Sequence, residues 1–199
     1  MVASKDLTIL QGKTFELVVR WETEPILYKA ITAITQTAPV RLTVVGHNLP
    51  DGWRAAVVSV KGMSEINACN TPPRNSDFRP ITVLDANTIE INEINAADYR
   101  AYVSGGYLQC NTPVDLAGQT ARMDIKDRVG GTVLHSLTSE NGGITIDNIK
   151  KTIVLTIAAT QTDDFDWRSG VYDLELISAT GHVAALITGK AFVTKEVTT

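Results

Sequence analysis

Alternation of apolar and polar residues over short stretches constrains this chain more than any other feature. Phe15, Leu17 and Val19 fall on one face of residues 14–21, with Glu16 on the other. The same period of two recurs at 121–126, 152–157 and 171–177. Because successive side chains of a β-strand point to opposite faces, each stretch is predicted to be a half-buried antiparallel strand. Further short strands are predicted at 40–45, 55–60, 81–84, 88–91, 132–137, 144–146, 183–187 and 191–197.

Turn-forming residues separate these predicted strands at short intervals. Pro50-Asp51-Gly52, Asp85-Ala86-Asn87, Gly130-Gly131, Asn141-Gly142-Gly143 and Thr180-Gly181 are examples. Threonine, which is favoured in strands, contributes 24 of the 199 residues. Helical signals are confined to single turns at 95–99 and 160–165. The pattern predicts an all-β chain that forms a sandwich or small barrels.

Composition excludes several classes of protein. The chain carries 18 basic and 22 acidic residues, a net charge of −4, which argues against binding nucleic acid by phosphate neutralisation. No apolar run approaches the roughly 20 residues that span a bilayer. The first residues contain no apolar segment of the kind found in a secretory signal. We therefore expect no nucleic-acid partner and no membrane partner.

Residues that commonly carry chemistry are scattered. Cys69 and Cys110 form no CxxC pair, so both thiols are expected to be free in a reducing cytosol, although a disulfide remains an alternative. His47, His135 and His182 are isolated and lack metal-ligand spacing. His47 is expected to pack in a loop, His135 to be a partly buried imidazole with its polar atoms satisfied, and His182 to be solvated.

The densest group of carboxylates is Asp163, Asp164 and Asp166. Calcium favours several oxygen ligands, but the run lacks the spacing of a calcium-binding loop, so a solvated turn is the preferred interpretation. No phosphate-binding glycine motif and no nucleophile elbow is present. The sequence thus predicts no catalytic residue, no metal site and no cofactor, and hence a protein that is not an enzyme.

The order of the predicted strands indicates a discontinuous domain. The strand at 14–21 has no antiparallel partner near it in sequence, and the region after residue 111 lacks an opening strand. Residues 67–80 form a polar, proline-rich loop inside the intervening region. We therefore predict that residues 1–28 and 111–199 form one sandwich and that residues 29–110 are inserted as a second domain.

The C-terminal region resembles a known module. Residues 112–118 read Thr-Pro-Val-Asp-Leu-Ala-Gly, residues 121–127 read Ala-Arg-Met-Asp-Ile-Lys-Asp, and residues 167–176 read Trp-Arg-Ser-Gly-Val-Tyr-Asp-Leu-Glu-Leu. These motifs resemble a β-sandwich module of tail and baseplate proteins of tailed bacteriophages. In that module the opening strand, here 13–21, runs directly into the Pro-Val-Asp-Leu segment, in agreement with an insertion.

The middle region resembles a second module. Residues 31–35 read Ile-Thr-Ala-Ile-Thr, residues 46–52 read Gly-His-Asn-Leu-Pro-Asp-Gly, and residues 102–107 read Tyr-Val-Ser-Gly-Gly-Tyr. They resemble a small β-barrel of phage virion proteins that is named after a half-domain of ubiquitin-activating enzymes. The Cys69–Pro80 loop departs from that pattern. Together the two resemblances imply an Ig-like antiparallel β-sandwich with an inserted small β-barrel domain.

The resemblances imply a non-enzymatic structural protein of a phage virion, assembled in the host cytoplasm. The expected place is the tail, baseplate or head–tail connection. The expected partners are other virion proteins or fibres, with copies of the chain forming a homo-oligomer in a symmetric ring. One alternative is a capsid decoration (cement) protein. Another is a carbohydrate-binding tail protein, which requires an aromatic platform or a carboxylate pair facing a groove.

Four aromatic residues are candidate interface anchors: Trp53, Tyr99, Tyr102 and Tyr107. The alternative is that they cap the ends of the small barrel. The tail at 195–199 is either a disordered end or an arm that adds a strand to a neighbouring molecule.

Overall fold

The computed structural model describes residues 2–195 and consists largely of β-strands. In chain order the strands are β1 (Ala3–Ser4), β2 (Leu7–Leu10), β3 (Phe15–Val19), β4 (Glu22–Ala30), β5 (Ala33–Ile34), β6 (Val40–Thr43), β7 (Arg54–Lys61), β8 (Arg79–Pro80), β9 (Thr82–Val83), β10 (Thr88–Ile91), β11 (Ser104–Pro113), β12 (Thr120–Lys126), β13 (Val133–Thr138), β14 (Ile144–Asp147), β15 (Thr152–Ile157), β16 (Ser169–Ile177) and β17 (Val183–Thr194).

Helical structure within residues 2–195 is limited to single turns. An α-helix, α1, covers Ala159–Asp163, and 3₁₀ turns cover Ser64–Ile66 and Asn75–Asp77. The predicted turn at 160–165 overlaps α1. In the stretch 95–99, where a single helical turn was also predicted, Tyr99 N donates to Ala96 O at 3.1 Å, which forms one hydrogen-bonded turn that does not extend into a helix. The all-β, sandwich-type fold predicted from the sequence is confirmed.

The chain forms two compact units. One contains residues 2–21 and 115–195, and the other contains residues 22–114. The order of the predicted strands predicts these two boundaries at 28/29 and 110/111. Residues 22–28 and 111–114 instead belong to the second unit, because β4 and β11 pair along most of their length, from Tyr107 opposite Ala30 to Pro113 opposite Glu22.

The discontinuous unit contains two sheets. The larger has the order β1–β17–β16–β12–β13, with β2 also paired to β17, and the smaller has the order β14–β15–β3. Burial alternates along β12, where Ala121, Met123 and Ile125 are buried between more exposed neighbours. β12 contacts β14, and β13 contacts β15, so the two sheets pack face to face. The larger sheet is not purely antiparallel, since β1 and β2 run parallel to β17.

The unit of residues 22–114 also contains two sheets, with the orders β4–β11–β7–β8 and β5–β6–β10–β9. They enclose one apolar core that includes Leu42, Trp53, Ile89 and Leu108, each without exposed surface. Glu22 and Pro113 are partners in the register of β4 and β11, so the two ends of this unit lie side by side. Adjacent ends are the condition under which a domain can be inserted into a loop at low entropic cost.

The predicted C-terminal strands differ from the observed one. The stretches 183–187 and 191–197 were predicted as two strands, and the structure has one continuous strand, β17, from Val183 to Thr194. Residues 196–199, for which a strand-adding arm was considered, lie outside the described residues.

Candidate functional site

The strands β4, β11 and β7 present an outer face that carries both aromatic and amide side chains. Gln109 on β11 lies opposite Tyr28 on β4 and opposite Ala56 on β7. Its sequence neighbours Leu108 and Cys110 belong to the core. Because side chains alternate along a strand, Gln109 points to the outer face.

A loop, residues 67–78, lies beside this face and leads into β8, and its first residues are fixed to β7. The Asn67 amide Oδ1 accepts a hydrogen bond from Val60 N at 2.8 Å, and its Nδ2 donates to Val60 O at 3.0 Å. Ala68 N donates to Val57 O at 2.7 Å. The start of the loop is therefore fixed to β7 by two hydrogen bonds of the Asn67 side-chain amide and one of the Ala68 backbone.

The Asp77 carboxylate fixes the middle of the loop. Its oxygens accept hydrogen bonds from Cys69 N at 3.1 Å, from Asn70 Nδ2 at 2.9 Å and from Arg74 N at 2.8 Å. The Arg74 N–H, followed by the Asn70 amide, holds the pKa of the Asp77 carboxyl below its ordinary value. The loop thus has an internal framework of hydrogen bonds and does not depend on a ligand for its shape.

A cleft of about 580 Å³ lies between the loop and the sheet face. It is lined by Tyr28, Val58, Ser59, Asn67, Ala68, Asn70, Thr71, Pro72, Pro73 and Gln109. None of these ten residues carries a charge, so a ligand would be recognised by hydrogen bonds and apolar contact. The volume lies in the usual range for small-molecule sites, about 300–1,000 Å³.

The Gln109 side chain is the most unusual group in the cleft. Gln109 is only 6% exposed. Among the side-chain hydrogen bonds formed within residues 2–195, none involves its amide. Although the residue as a whole is buried, its amide oxygen and nitrogen are not sealed from solvent, so they lie at the surface of the cleft. The amide therefore offers an unused donor and an unused acceptor to whatever enters the cleft.

Two tyrosines lie next to each other at the rim of this site. The rings of Tyr28 and Tyr107 meet edge to face, with centroids 6.3 Å apart. Tyr28 is 56% exposed and Tyr107 is 46% exposed. An exposed aromatic pair of this kind is available for contact with a ligand or a partner.

The four predicted interface aromatics do not lie together on a surface. Trp53 is fully buried, and its Nε1–H donates to Asn111 O at 3.0 Å, which corrects the expectation that it is an exposed anchor. Tyr99 and Tyr102 are half-buried against the core. The Tyr102 hydroxyl lies 3.1 Å from Ile31 O. Of the four, Tyr107 is the one with an exposed ring at the outer face.

The three histidines occupy different surroundings. His47 is buried in a loop, where its Nε2 donates to Asp85 O at 2.9 Å and its Nδ1 accepts from Leu49 N at 3.1 Å. The His135 ring packs edge-on against Phe165 with centroids 5.0 Å apart. The sequence predicted that His135 would be satisfied, but its buried Nε2 has no hydrogen-bond partner within the described chain, and burial lowers its pKa. His182 is exposed.

Carboxylates with altered pKa values hold turns together. The backbone N–H of Asn87, 2.8 Å from the Asp85 carboxylate, lowers the pKa of that group. The Lys151 ammonium Nζ donates to Asp115 Oδ1 at 3.1 Å, and this hydrogen bond lowers the pKa of the Asp115 carboxyl. The aspartates 163, 164 and 166 are exposed, and across residues 2–195 no group of three or more His, Cys, Asp or Glu side chains is placed to hold a metal ion.

The two cysteines are free and differ in accessibility. Cys69 is exposed in the loop, whereas Cys110 lies in the core of its unit. Burial raises the pKa of the Cys110 thiol to about 11. A thiol with so high a pKa is a poor nucleophile near neutral pH.

Comparison with known proteins does not identify a family. No protein-family model matches the chain, and no curated protein is significantly similar to it. In the part of the chain that the structure describes, no helix is long and apolar enough to cross a membrane.

Proposed function

We propose that the chain is a non-enzymatic structural component of a tailed-phage virion. Its place is the tail, the baseplate or the head–tail connection, where it docks other virion proteins or fibres. The proposal rests on the two motif sets, 112–127 with 167–176 and 31–52 with 102–107, which resemble phage virion modules.

The observation that carries the proposal is the way residues 22–114 are inserted. This unit has its own core, and its first residue, Glu22, pairs with Pro113, one residue before its end. The nesting matches the order in which the two resemblances occur along the chain. A protein with two independently packed units has two surfaces for assembly, one for copies of itself in a ring and one for a different partner.

Quantitative mass spectrometry of purified virions tests this proposal. A tail or baseplate component is expected at roughly three to twelve copies per particle, since tails are built with cyclic symmetry. Hundreds of copies would instead indicate the capsid decoration protein, and absence from washed particles would refute a structural role in the virion.

An incorporation assay sharpens the test. The gene for the chain is deleted from the phage, and variants of the chain are supplied from a plasmid in the host, so that only the variant can enter the virion. Tyr107→Ala removes an exposed ring of the outer face, and we expect lower incorporation because exposed aromatics anchor interfaces. The matched control is Val129→Ala, which removes an apolar side chain that is 90% exposed in a turn of the other unit. Equal incorporation of both variants would exclude the Tyr107 face from docking.

A further inference from the structure

The amide at the floor of the cleft limits what can occupy it. Gln109 is 6% exposed and lines the cleft without an intramolecular hydrogen-bond partner within residues 2–195. An amide places a donor and an acceptor side by side. A ligand that pairs with both groups of the amide has an adjacent acceptor and donor of its own.

The charge and the polarity of the residues that line the cleft further restrict which ligand can bind there. The lining has no charged side chain, so an anion or a cation would gain no ion pair there. Tyr28, Pro72 and Pro73 supply apolar surface, while Ser59 and Thr71 supply hydroxyl groups. Such a mixture suits an uncharged molecule with both a hydroxyl-rich edge and an apolar face.

We propose that the cleft binds a neutral saccharide unit, with the Gln109 amide hydrogen-bonded to neighbouring sugar hydroxyls and the Tyr28 ring against a C–H face of the sugar. Vicinal hydroxyls provide the adjacent donor and acceptor that the amide lacks. The volume of about 580 Å³ accommodates a small saccharide and lies within the range of known small-molecule sites.

Hydrogen bonds within the protein already fix the conformation of the loop before a ligand binds. Asn67 is joined to Val60 through two hydrogen bonds, and Asp77 accepts three from the residues around it. A ligand therefore orders few residues when it binds, which reduces the entropic cost of association.

A peptide is the less suitable occupant. A strand added to this sheet would pair with the outer edge of β4, whose other edge is taken by β11. Such a strand would satisfy backbone groups at the edge and would leave the Gln109 amide unpaired on the sheet face. The observations therefore favour the saccharide.

The test uses the purified full chain, labelled with ¹⁵N, and titrates it with methyl glycosides of neutral hexoses and N-acetylhexosamines, with lactose and maltose, and with sialic acid as a charged control. We expect neutral sugars to shift the Gln109 side-chain amide and the backbone amides of 67–73, and sialic acid to leave them unchanged.

Variants connect the binding to the cleft. Gln109→Leu removes the donor and the acceptor and is expected to weaken binding about tenfold or more. Tyr28→Ala is expected to weaken binding about tenfold, and Tyr28→Phe to weaken it by less than about threefold because the ring remains. The matched control is Gln36→Leu, because Gln36 is exposed, lies in the same unit and does not line the cleft; its amide donates to Tyr99 O at 2.7 Å, so the control also loses an amide hydrogen bond, but one outside the cleft.

The unfolding temperature of Gln109→Leu distinguishes a role of Gln109 in binding from a role in folding. Because the Gln109 amide lacks partners, Gln109→Leu is expected to unfold at the same temperature as the native chain or at a higher one. A marked loss of stability would show that Gln109 has a structural role and would overturn the proposal. It would also be overturned if no sugar shifts the cleft resonances, or if a short peptide shifts them while sugars do not. Sugar binding by the purified chain is independent of virion incorporation, so the two proposals can fail separately.

Discussion

Replacement of Trp53 separates a core role from an interface role. Trp53 is without exposed surface and its indole N–H donates to Asn111 O at 3.0 Å. Trp53→Ala removes a buried aromatic ring and is expected to cost about 3–5 kcal/mol. Trp53→Phe keeps most of the ring but leaves the Asn111 carbonyl without its donor, at a cost of about 1–3 kcal/mol.

Hydrogen exchange read by mass spectrometry is the suitable assay, because it reports on residues 22–114 separately from the other unit. A loss of 3–5 kcal/mol corresponds to exchange faster by about a hundredfold to a few thousandfold in the most protected peptides of that unit. The control is Tyr107→Ala, since that ring is 46% exposed and its removal is expected to cost about 1 kcal/mol or less.

Two results would refute this reasoning. One is unchanged protection of residues 22–114 in Trp53→Ala. The other is strong acrylamide quenching of Trp53 fluorescence in a chain where Trp21 and Trp167, the other two tryptophans, are replaced by Phe. Either result would place the indole at the surface and restore it as a candidate interface anchor.

Three further predictions concern separate parts of the molecule. Ellman's reagent should titrate one thiol per native chain, that of Cys69, and two in denaturant, because Cys110 is buried and its pKa is raised to about 11; two fast-reacting native thiols would contradict this. His135 has a lowered folded pKa, so the unfolded chain binds the proton more readily and stability should fall as pH drops below about 6.5. His135→Gln should reduce that decline in melting temperature, and an identical pH dependence in both proteins would contradict the assignment. Residues 22–114 expressed alone should give dispersed NMR spectra that overlay those of the full chain, because this unit has its own core; a collapsed, unfolded spectrum would show that it depends on the rest of the chain.

The sequence predicted strands well where periodicity is local and poorly where a strand depends on distant partners. The stretches 88–91 and 152–157 were predicted with the bounds that β10 and β15 have. β4 was missed because Pro25 interrupts it, and proline lowers the expectation of a strand. Its pairing with β11 joins residues far apart in sequence.

Glycines lie at two places where the predicted strands differ from the observed ones. β11, which was not predicted, begins Ser-Gly-Gly, and its Gly106 has a φ of +94° and lies so close to Val60 that a side chain there would clash. Gly189 lies in the gap between the two predicted C-terminal strands, 183–187 and 191–197. In the structure Gly189 lies inside β17 where the Lys5 carbonyl approaches it, which leaves no space for a Cβ. A close approach between distant segments cannot be predicted from a single sequence.

The sequence indicated the loop of the candidate site but not the two side chains, Gln109 and Tyr28, that lie opposite it. The polar, proline-rich character of residues 67–80 marked a loop, but nothing in that stretch indicates which sheet face it covers. Gln109 gave no signal because its strand was not predicted, and Tyr28 was hidden in the missed β4. A glutamine flanked by Leu108 and Cys110 becomes informative only once the alternation along β11 is known.

Electron cryo-microscopy of the intact particle tests the central claim most directly. The structures of residues 2–21 with 115–195 and of residues 22–114 are fitted separately into the density. The account predicts that both units fit into a symmetric ring of the tail, baseplate or head–tail connection, in contact with another virion protein. Density for the chain on the capsid lattice, or no density for it anywhere in the particle, would contradict the account.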